Sequence, residues 1–187
     1  KGFNSLESNI LPILSKQKLL IGKEYKIKNS IFIDIGIPKD LKIAKKIIPQ
    51  YFLKKRAVFL DRDGVLNHDF GHVGEIRRFK WKKNVIKNIK YLNDNNFLVF
   101  LVTNQSGIGR GLYSLNDFYN LCSWMGDKLY MKGAHIDDIF YSPFFKKGKF
   151  NDKKFYDLRK PNIGMYKQAK KKWIFDVNKS FMIGDSE

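Results

Sequence analysis

Asp61 and Asp63 stand one residue apart at the end of a short apolar run, Ala57-Val58-Phe59-Leu60, and Gly64 breaks the chain directly after them. Side chains at i and i+2 of extended chain share a side, so the two carboxylates face one small site. Carboxylates joined by a third acid fit a hard, oxygen-ligated cation such as Mg²⁺. Asp185, in Met182-Ile183-Gly184-Asp185-Ser186, is the obvious third acid. A phosphoryl group at such a site is open to in-line attack by one aspartate, giving an acyl phosphate, while the other protonates the leaving oxygen. Phosphate monoesters hydrolyse very slowly unaided, so positioning and charge neutralisation must supply most of the acceleration. Thr103, with its hydroxyl and the amides after it, and Lys160 are placed to neutralise the phosphoryl oxygens.

The elements that must position these groups alternate. Residues 57–60 and 97–104 read as buried strands, because each is a nearly continuous apolar run. Residues 83–94 carry Val85, Ile89 and Leu92 at helical spacing, and the stretch from Ser114, a helix N-cap, to Gly133 is a second helix. A strand over 136–143, a helix over 162–175 and a strand from 180 onward complete the pattern. This is the signature of an α/β fold with a parallel sheet and helices on both faces. Ligands of such sheets bind at the carboxyl ends of the strands. Here those ends read Asp61-Arg62-Asp63-Gly64, Thr103-Asn104-Gln105-Ser106-Gly107, Tyr141-Ser142-Pro143 and Gly184-Asp185-Ser186. A lone Asp-x-Asp-Gly is common in ordinary turns. Its recurrence with the other polar groups at successive strand ends is what points to catalysis.

Composition sets the remaining bounds. The 187 residues are 43% hydrophobic and 15% aromatic, as in a globular chain, with no apolar run near the ~20 residues of a membrane helix. The beginning has neither a signal peptide pattern nor an initiating methionine, so the expected setting is cytoplasmic and the start is expected upstream. A formal charge of +18 raises the question of nucleic acid. The lysines, however, are dispersed in clusters at 54–56, 80–83, 146–149 and 170–172, as on solvated faces, and no nucleic-acid or membrane partner is expected. Cys122 is the single cysteine and reads as a core thiol.

The segments Asp-Arg-Asp-Gly (61–64), Thr-Asn-Gln-Ser-Gly-Ile-Gly-Arg-Gly (103–111), Arg-Lys-Pro-Asn-Ile-Gly-Met (159–165) and Met-Ile-Gly-Asp-Ser (182–186) together resemble the haloacid dehalogenase superfamily of aspartate-nucleophile phosphatases. Within it they are similar to D-glycero-D-manno-heptose 1,7-bisphosphate 7-phosphatases and their histidinol-phosphate phosphatase relatives, over residues 57–187. The resemblance implies a Rossmann-like fold, a phosphorylated sugar as substrate, and Mg²⁺ as cofactor. It implies Asp61 as nucleophile and Asp63 as general acid and base, with Asp61, Asp63 through its main-chain carbonyl, and Asp185 holding the metal. Thr103 and Lys160 would stabilise the transferring phosphoryl group and Arg159 would recognise substrate. Asp69, Phe70, Gly71 and His72, together with Asn104, Gln105 and Ser106, would line the substrate pocket.

The chain also departs from that family. Many members carry a zinc loop with Cys and His ligands, where this sequence has Ser142, Phe144, Tyr156 and Leu158. These cannot bind zinc, so none is expected. The loop 144–158 would be held by apolar packing, with Phe144, Phe145, Phe150, Phe155 and Tyr156 as candidates. Ser186 stands where many relatives have a substrate-touching lysine. The family continues past Gly-Asp by at least a helix and a strand, so the domain is expected to be incomplete.

The first fifty residues read differently: a short amphipathic helix, a strand over 31–36, a helix over 38–48 with Pro38 in its first turn, and a junction over 48–56. Residues 4–14 and 32–46 are similar to the end of the catalytic domain of sugar-1-phosphate nucleotidyltransferases, which makes Asp34 a candidate metal ligand. The expected division is therefore a partial α/β nucleotidyltransferase tail over 1–50, a linker over 51–56 and the phosphatase domain over 57–187. A nucleotidyltransferase neighbour favours heptose over histidinol phosphate as substrate. A nucleic-acid 3′-end phosphatase and an inactive scaffold domain are the alternatives.

Overall fold

The structure, a computed structural model, describes residues 5–22, 32–53 and 55–185. It divides between Leu41 and Lys42. In the larger unit, four strands, β1 (Arg56–Leu60), β2 (Phe97–Asn104), β3 (Asp138–Ser142) and β4 (Asp176–Ile183), form an all-parallel sheet in the order β3-β2-β1-β4. The expected α/β fold with a parallel sheet is the one observed.

Strand alternation builds two cores. Val58, Leu60, Val99 and Leu101 point to one face and pack with Ile89 of α3 (Val85–Asp94) and with Leu121, Met125 and Leu129 of α5 (Leu115–Tyr130). Ala57, Phe59, Leu98, Phe100 and Val102 point to the other and meet Met165 and Ala169 of α7 (Gly164–Lys172). Every second residue of β1 and β2 thus serves opposite helix layers, which is why these strands read as unbroken apolar runs. Each such buried Val, Leu or Phe contributes about 1.5–3 kcal/mol. The helix over 114–133 forms as expected, capped by a reciprocal pair in which Ser114 Oγ accepts from the Asp117 amide at 3.1 Å and the Ser114 amide donates to Asp117 Oδ2 at 2.8 Å.

β4 starts four residues earlier than its apolar pattern suggests. Its register against β1 slips between Arg56↔Asp176 and Val58↔Phe181. Ser180 repairs the gap: its Oγ accepts from the Ala57 amide at 2.8 Å and donates to the Asp176 carbonyl at 2.6 Å. A hydroxyl thus completes a ladder position that the backbone leaves open.

Three expectations need correction. The helix expected over 38–48 does not stop there: α2 (Pro38–Leu53) runs through Pro49 to Leu53, and Phe52 packs on the α7 face of the sheet. Residues 32–36 form no strand, and Ile31 lies outside the described residues. There the Asp34 carboxylate accepts from the Gly36 amide at 2.9 Å, folding the chain into a turn that competes with extension. Loop 144–158 contains a helix, α6 (Lys153–Leu158), absent from the sequence reading. The smaller unit, described by itself, has one π-helical turn (Leu6–Ile10) followed by α1 (Leu11–Lys16), and neither contains a buried residue. Among the described residues no helix is long and apolar enough to cross a membrane.

Candidate active site

The carboxyl ends of β1, β2 and β4 meet at a cleft of about 420 Å³ lined by Asp61, Asp63, Asp69, Gly71, His72, Asn104, Ser106, Tyr113, Arg159 and Asp185. Nine of these ten were anticipated from the sequence, Tyr113 being the exception. The Asp61 amide donates to the Ile183 carbonyl at 3.0 Å, extending the β1–β4 ladder by one step and bringing the loop with Asp185 alongside. Gly64 has φ +81°, and a Cβ built on it would overlap the Asp185 carboxylate. Glycine is required there twice over, for the left-handed turn and for the close approach.

The two aspartates have different surroundings. Asp61 receives the Lys160 ammonium on Oδ2 and the Arg62 amide on Oδ1 at 2.7 Å. Asp63 is held by three side chains: Arg62 Nη2 donates at 2.9 and 2.8 Å to its two oxygens, Asn67 Nδ2 at 2.9 Å and Gln105 Nε2 at 3.2 Å. Arg62 is fully buried, pointing opposite its neighbours into the space beneath the cleft, where it also donates to the Val73 carbonyl. Sequence reasoning passed over it, although its place between two aspartates read as sharing one side was the signal that it faces the other.

Thr103, Gln105 and Lys160 stand behind the lining. Thr103 is fully buried and its Oγ1 accepts from Gln105 Nε2 at 2.8 Å. Gln105 Oε1 in turn accepts the Tyr113 hydroxyl at 2.6 Å, and burial pushes the Tyr113 pKa up to about 12. Asn104 clasps the main chain of Lys160, accepting its amide at 2.9 Å and donating to its carbonyl at 3.2 Å, which aims the ammonium at Asp61. On the other rim Asp69 accepts from the Gly71 amide at 2.8 Å, and Arg78 donates to the Phe70 and Gly71 carbonyls at 2.8 and 2.9 Å. Phe70 departs from expectation: it is 55% exposed, lies beside the His68 ring and does not line the cleft. Ser186 lies outside the described residues.

Among the described residues no three His, Cys, Asp or Glu side chains converge as they stand to hold a metal ion. Arg62, Asn67 and Gln105 occupy the Asp63 carboxylate. The fit to a hard cation therefore rests on the Asp61 and Asp185 carboxylates, both on the cleft, and the main-chain carbonyl of Asp63. Asp185 nested against the Cα of Gly64 is the feature that favours it.

The loop without zinc ligands is held as the sequence suggested, by rings. Phe144 meets Tyr156 edge to face at 5.2 Å and Phe150 meets Phe155 at 5.1 Å. Ser142 donates from Oγ to the Phe155 carbonyl at 2.8 Å. Phe145 carries the Arg110 guanidinium 3.9 Å above its ring.

A parallel α/β sheet with paired aspartates at the end of β1, a lysine on the first and a third acid beneath β4 defines an aspartate-based phosphatase of the haloacid dehalogenase type. Residues 66–187 match the family described as polynucleotide kinase 3 phosphatase, and the chain belongs to that family. It is 44% identical over 131 residues, 70% of this chain and 71% of the other, to a D-glycero-beta-D-manno-heptose-1,7-bisphosphate 7-phosphatase of Pasteurella multocida. It is 38% identical over 136 residues, 72% of each chain, to a D-glycero-alpha-D-manno-heptose-1,7-bisphosphate 7-phosphatase of Burkholderia mallei. Among solved structures it is similar to a HAD-like phosphatase of Mesorhizobium loti (TM-score 0.65, 28% identity), covering 72% of this chain and 65% of that one. It is also similar to a D,D-heptose 1,7-bisphosphate phosphatase of B. bronchiseptica complexed with magnesium and phosphate (TM-score 0.55, 29% identity), covering 63% of each.

Proposed function

We propose that this protein is a Mg²⁺-dependent phosphatase that removes the 7-phosphate of D-glycero-D-manno-heptose 1,7-bisphosphate. The observation that carries the reading is the division of labour between the two aspartates: Asp61 faces the cleft beside the partly buried Lys160 ammonium, while Asp63 is fixed by Arg62, Asn67 and Gln105. The names of the relatives support the substrate. Asp61, Asp185 and the Asp63 carbonyl would hold Mg²⁺, which supplies charge neutralisation at the phosphoryl oxygens.

In the first half-reaction a carboxylate oxygen of Asp61 attacks phosphorus. The bond from phosphorus to the sugar oxygen breaks as Asp63 delivers its proton to that oxygen, leaving an acyl phosphate on Asp61. In the second half Asp63 takes a proton from water, whose oxygen attacks phosphorus and releases phosphate and the Asp61 carboxylate. Lys160, aimed by Asn104, offsets negative charge beside Asp61, and Arg159 orients the sugar end. Residues 1–50 belong to this reading as the end of a sugar nucleotidyltransferase-like unit, on the strength of their sequence segments alone.

The test is phosphate release, with and without Mg²⁺, from both anomers of heptose 1,7-bisphosphate, from histidinol phosphate and from a 3′-phosphorylated oligonucleotide, with Asp61→Asn as control. Preferential release from heptose is expected. Preference for the oligonucleotide, or no release from any substrate by folded protein, overturns the assignment.

A further inference from the structure

Tyr113 lines the reaction cleft and also a second cavity of about 760 Å³ bordered by Arg110, Lys147 and Lys149, yet only 8% of it is exposed. Its ring is clamped between Gly74 and Gly107, the latter in the short helix α4 (Ser106–Gly109), and a Cβ at either glycine would overlap it. The clamp gives the ring one place to stand, and from there its hydroxyl meets Gln105 at 2.6 Å.

Donor and acceptor capacity sets the direction of each bond around it. The Arg62 guanidinium neighbours the Tyr113 hydroxyl, and a guanidinium only donates, so the phenol hydrogen turns to the other neighbour, Gln105 Oε1. An amide oxygen only accepts, so this contact decides which end of the Gln105 amide faces which way. Both hydrogens of Nε2 are then committed, one to Asp63 Oδ2 at 3.2 Å and one to Thr103 Oγ1 at 2.8 Å. A single nitrogen thereby ties the end of β2 to the end of β1. The Thr103 hydroxyl, already receiving a hydrogen from Gln105, keeps its own for another acceptor. Were the amide turned over, its oxygen would face the Asp63 carboxylate, acceptor against acceptor, and would draw the Thr103 hydrogen to itself. Asp63 resists that inversion only while it is ionised, because a protonated carboxyl can also donate to an amide oxygen. The contact from Tyr113 stays the same throughout turnover.

We propose that Tyr113 is a positioning residue for phosphoryl transfer: through Gln105 it keeps the Thr103 hydroxyl hydrogen directed at a phosphoryl oxygen and keeps a donor on Asp63 in both half-reactions. The proposal rests on the phosphatase reading above and adds to it a group that acts at one remove. The Thr103 hydrogen counts most when charge gathers on the transferring phosphoryl oxygens, so the effect of Tyr113 falls on kcat and spares KM.

The experiment is a double-mutant cycle on kcat and KM for the preferred anomer of heptose 1,7-bisphosphate with Mg²⁺, comparing the wild type, Tyr113→Phe, Gln105→Met and the two combined. Tyr113→Phe keeps the ring between its glycines and removes only the hydroxyl, and urea unfolding verifies that each variant is folded. The expected result for Tyr113→Phe is a kcat lower by about tenfold with KM within about twofold. Gln105→Met should lower kcat at least as much. Adding Tyr113→Phe to it should change kcat by no more than about twofold, because the residue through which Tyr113 acts is gone. Full kcat in Tyr113→Phe overturns the proposal, as does a loss carried by KM alone, or a further loss of about tenfold when the substitutions are combined. Those outcomes leave the phosphatase reading in place, since the wild type turns over in each of them. If Gln105→Met does not fold, the split between kcat and KM in Tyr113→Phe decides by itself. Absence of turnover by folded wild type overturns both.

Discussion

The two spaces that share Tyr113 are built by opposite means. Beneath the acidic cleft the side chains are bonded to one another: Asp63 has three side-chain donors, Thr103 and Gln105 are buried and bonded to each other, and Asn104 grips Lys160 by its main chain, while Arg62 Nη1 and Asn67 Oδ1 stay buried without a partner. Around Arg110, Lys147 and Lys149 no carboxylate pairs with the cations among the described residues, and the two lysines lie on exposed chain, with glycine contacts and one stacked ring beneath them. Bond making tolerates little misplacement, and a displacement of an ångström in a reacting group is costly. The contrast therefore separates groups held to one geometry from charges left on exposed chain.

The largest expected effect is on the precise side. Asp61→Asn should lower kcat by about 10³-fold or more and abolish trapping of an acyl phosphate, measured by single-turnover assay with acid quench. Retained turnover would remove the nucleophile from the scheme. Arg62→Met should cost about 3 kcal/mol in urea unfolding, because it strands the Asp63 carboxylate over a buried site that has lost its counter-charge. If stability were unchanged, the cleft would not be held from below as described. Lys160→Ala should lower kcat by about 10²-fold with little change in KM, the mark of a group acting on developing charge. Tyr113→Phe removes a single buried donor to Gln105 and should cost about 1 kcal/mol, seen as a small drop in urea midpoint. In the second cavity, the Lys147→Ser, Lys149→Ser pair should leave stability within about 0.5 kcal/mol, and a larger loss would erase the contrast.

Much of the cleft was readable before any coordinates, since strand ends announce themselves when apolar runs stop at acids, amides or Gly-Asp. Its foundations were less so. Arg62 and Tyr113 look like ordinary residues of a basic, aromatic chain, and only packing shows one buried under Asp63 and the other wedged between Gly74 and Gly107. Phe70 failed as a pocket residue for a local reason: the Asp69 turn and the Arg78 guanidinium fix the backbone of 69–72, leaving the ring outward beside His68. The early start of β4 was hidden because the pairing over 176–180 depends on Ser180, whose hydroxyl replaces a backbone donor and acceptor that no apolar pattern reports. The strand expected at 31–36 illustrates the reverse case, where β-branched residues suggest extension but a single Asx turn at Asp34 sets the observed backbone.

The ring-built loop between β3 and α7 has a chemical consequence of its own. A clip made of thiolates is a redox liability, because oxidants and disulfide exchange act on the thiolate form. Phe144 on Tyr156, Phe150 on Phe155 and Arg110 on Phe145 offer no sulfur at all. The single cysteine of the chain, Cys122, lies on α5 with burial pushing its thiol up to about 11, so thiolate is scarce at neutral pH. The loop 144–158 is thereby insulated from thiol oxidation, and peroxide levels that would dismantle a cysteine-held counterpart should leave its packing intact.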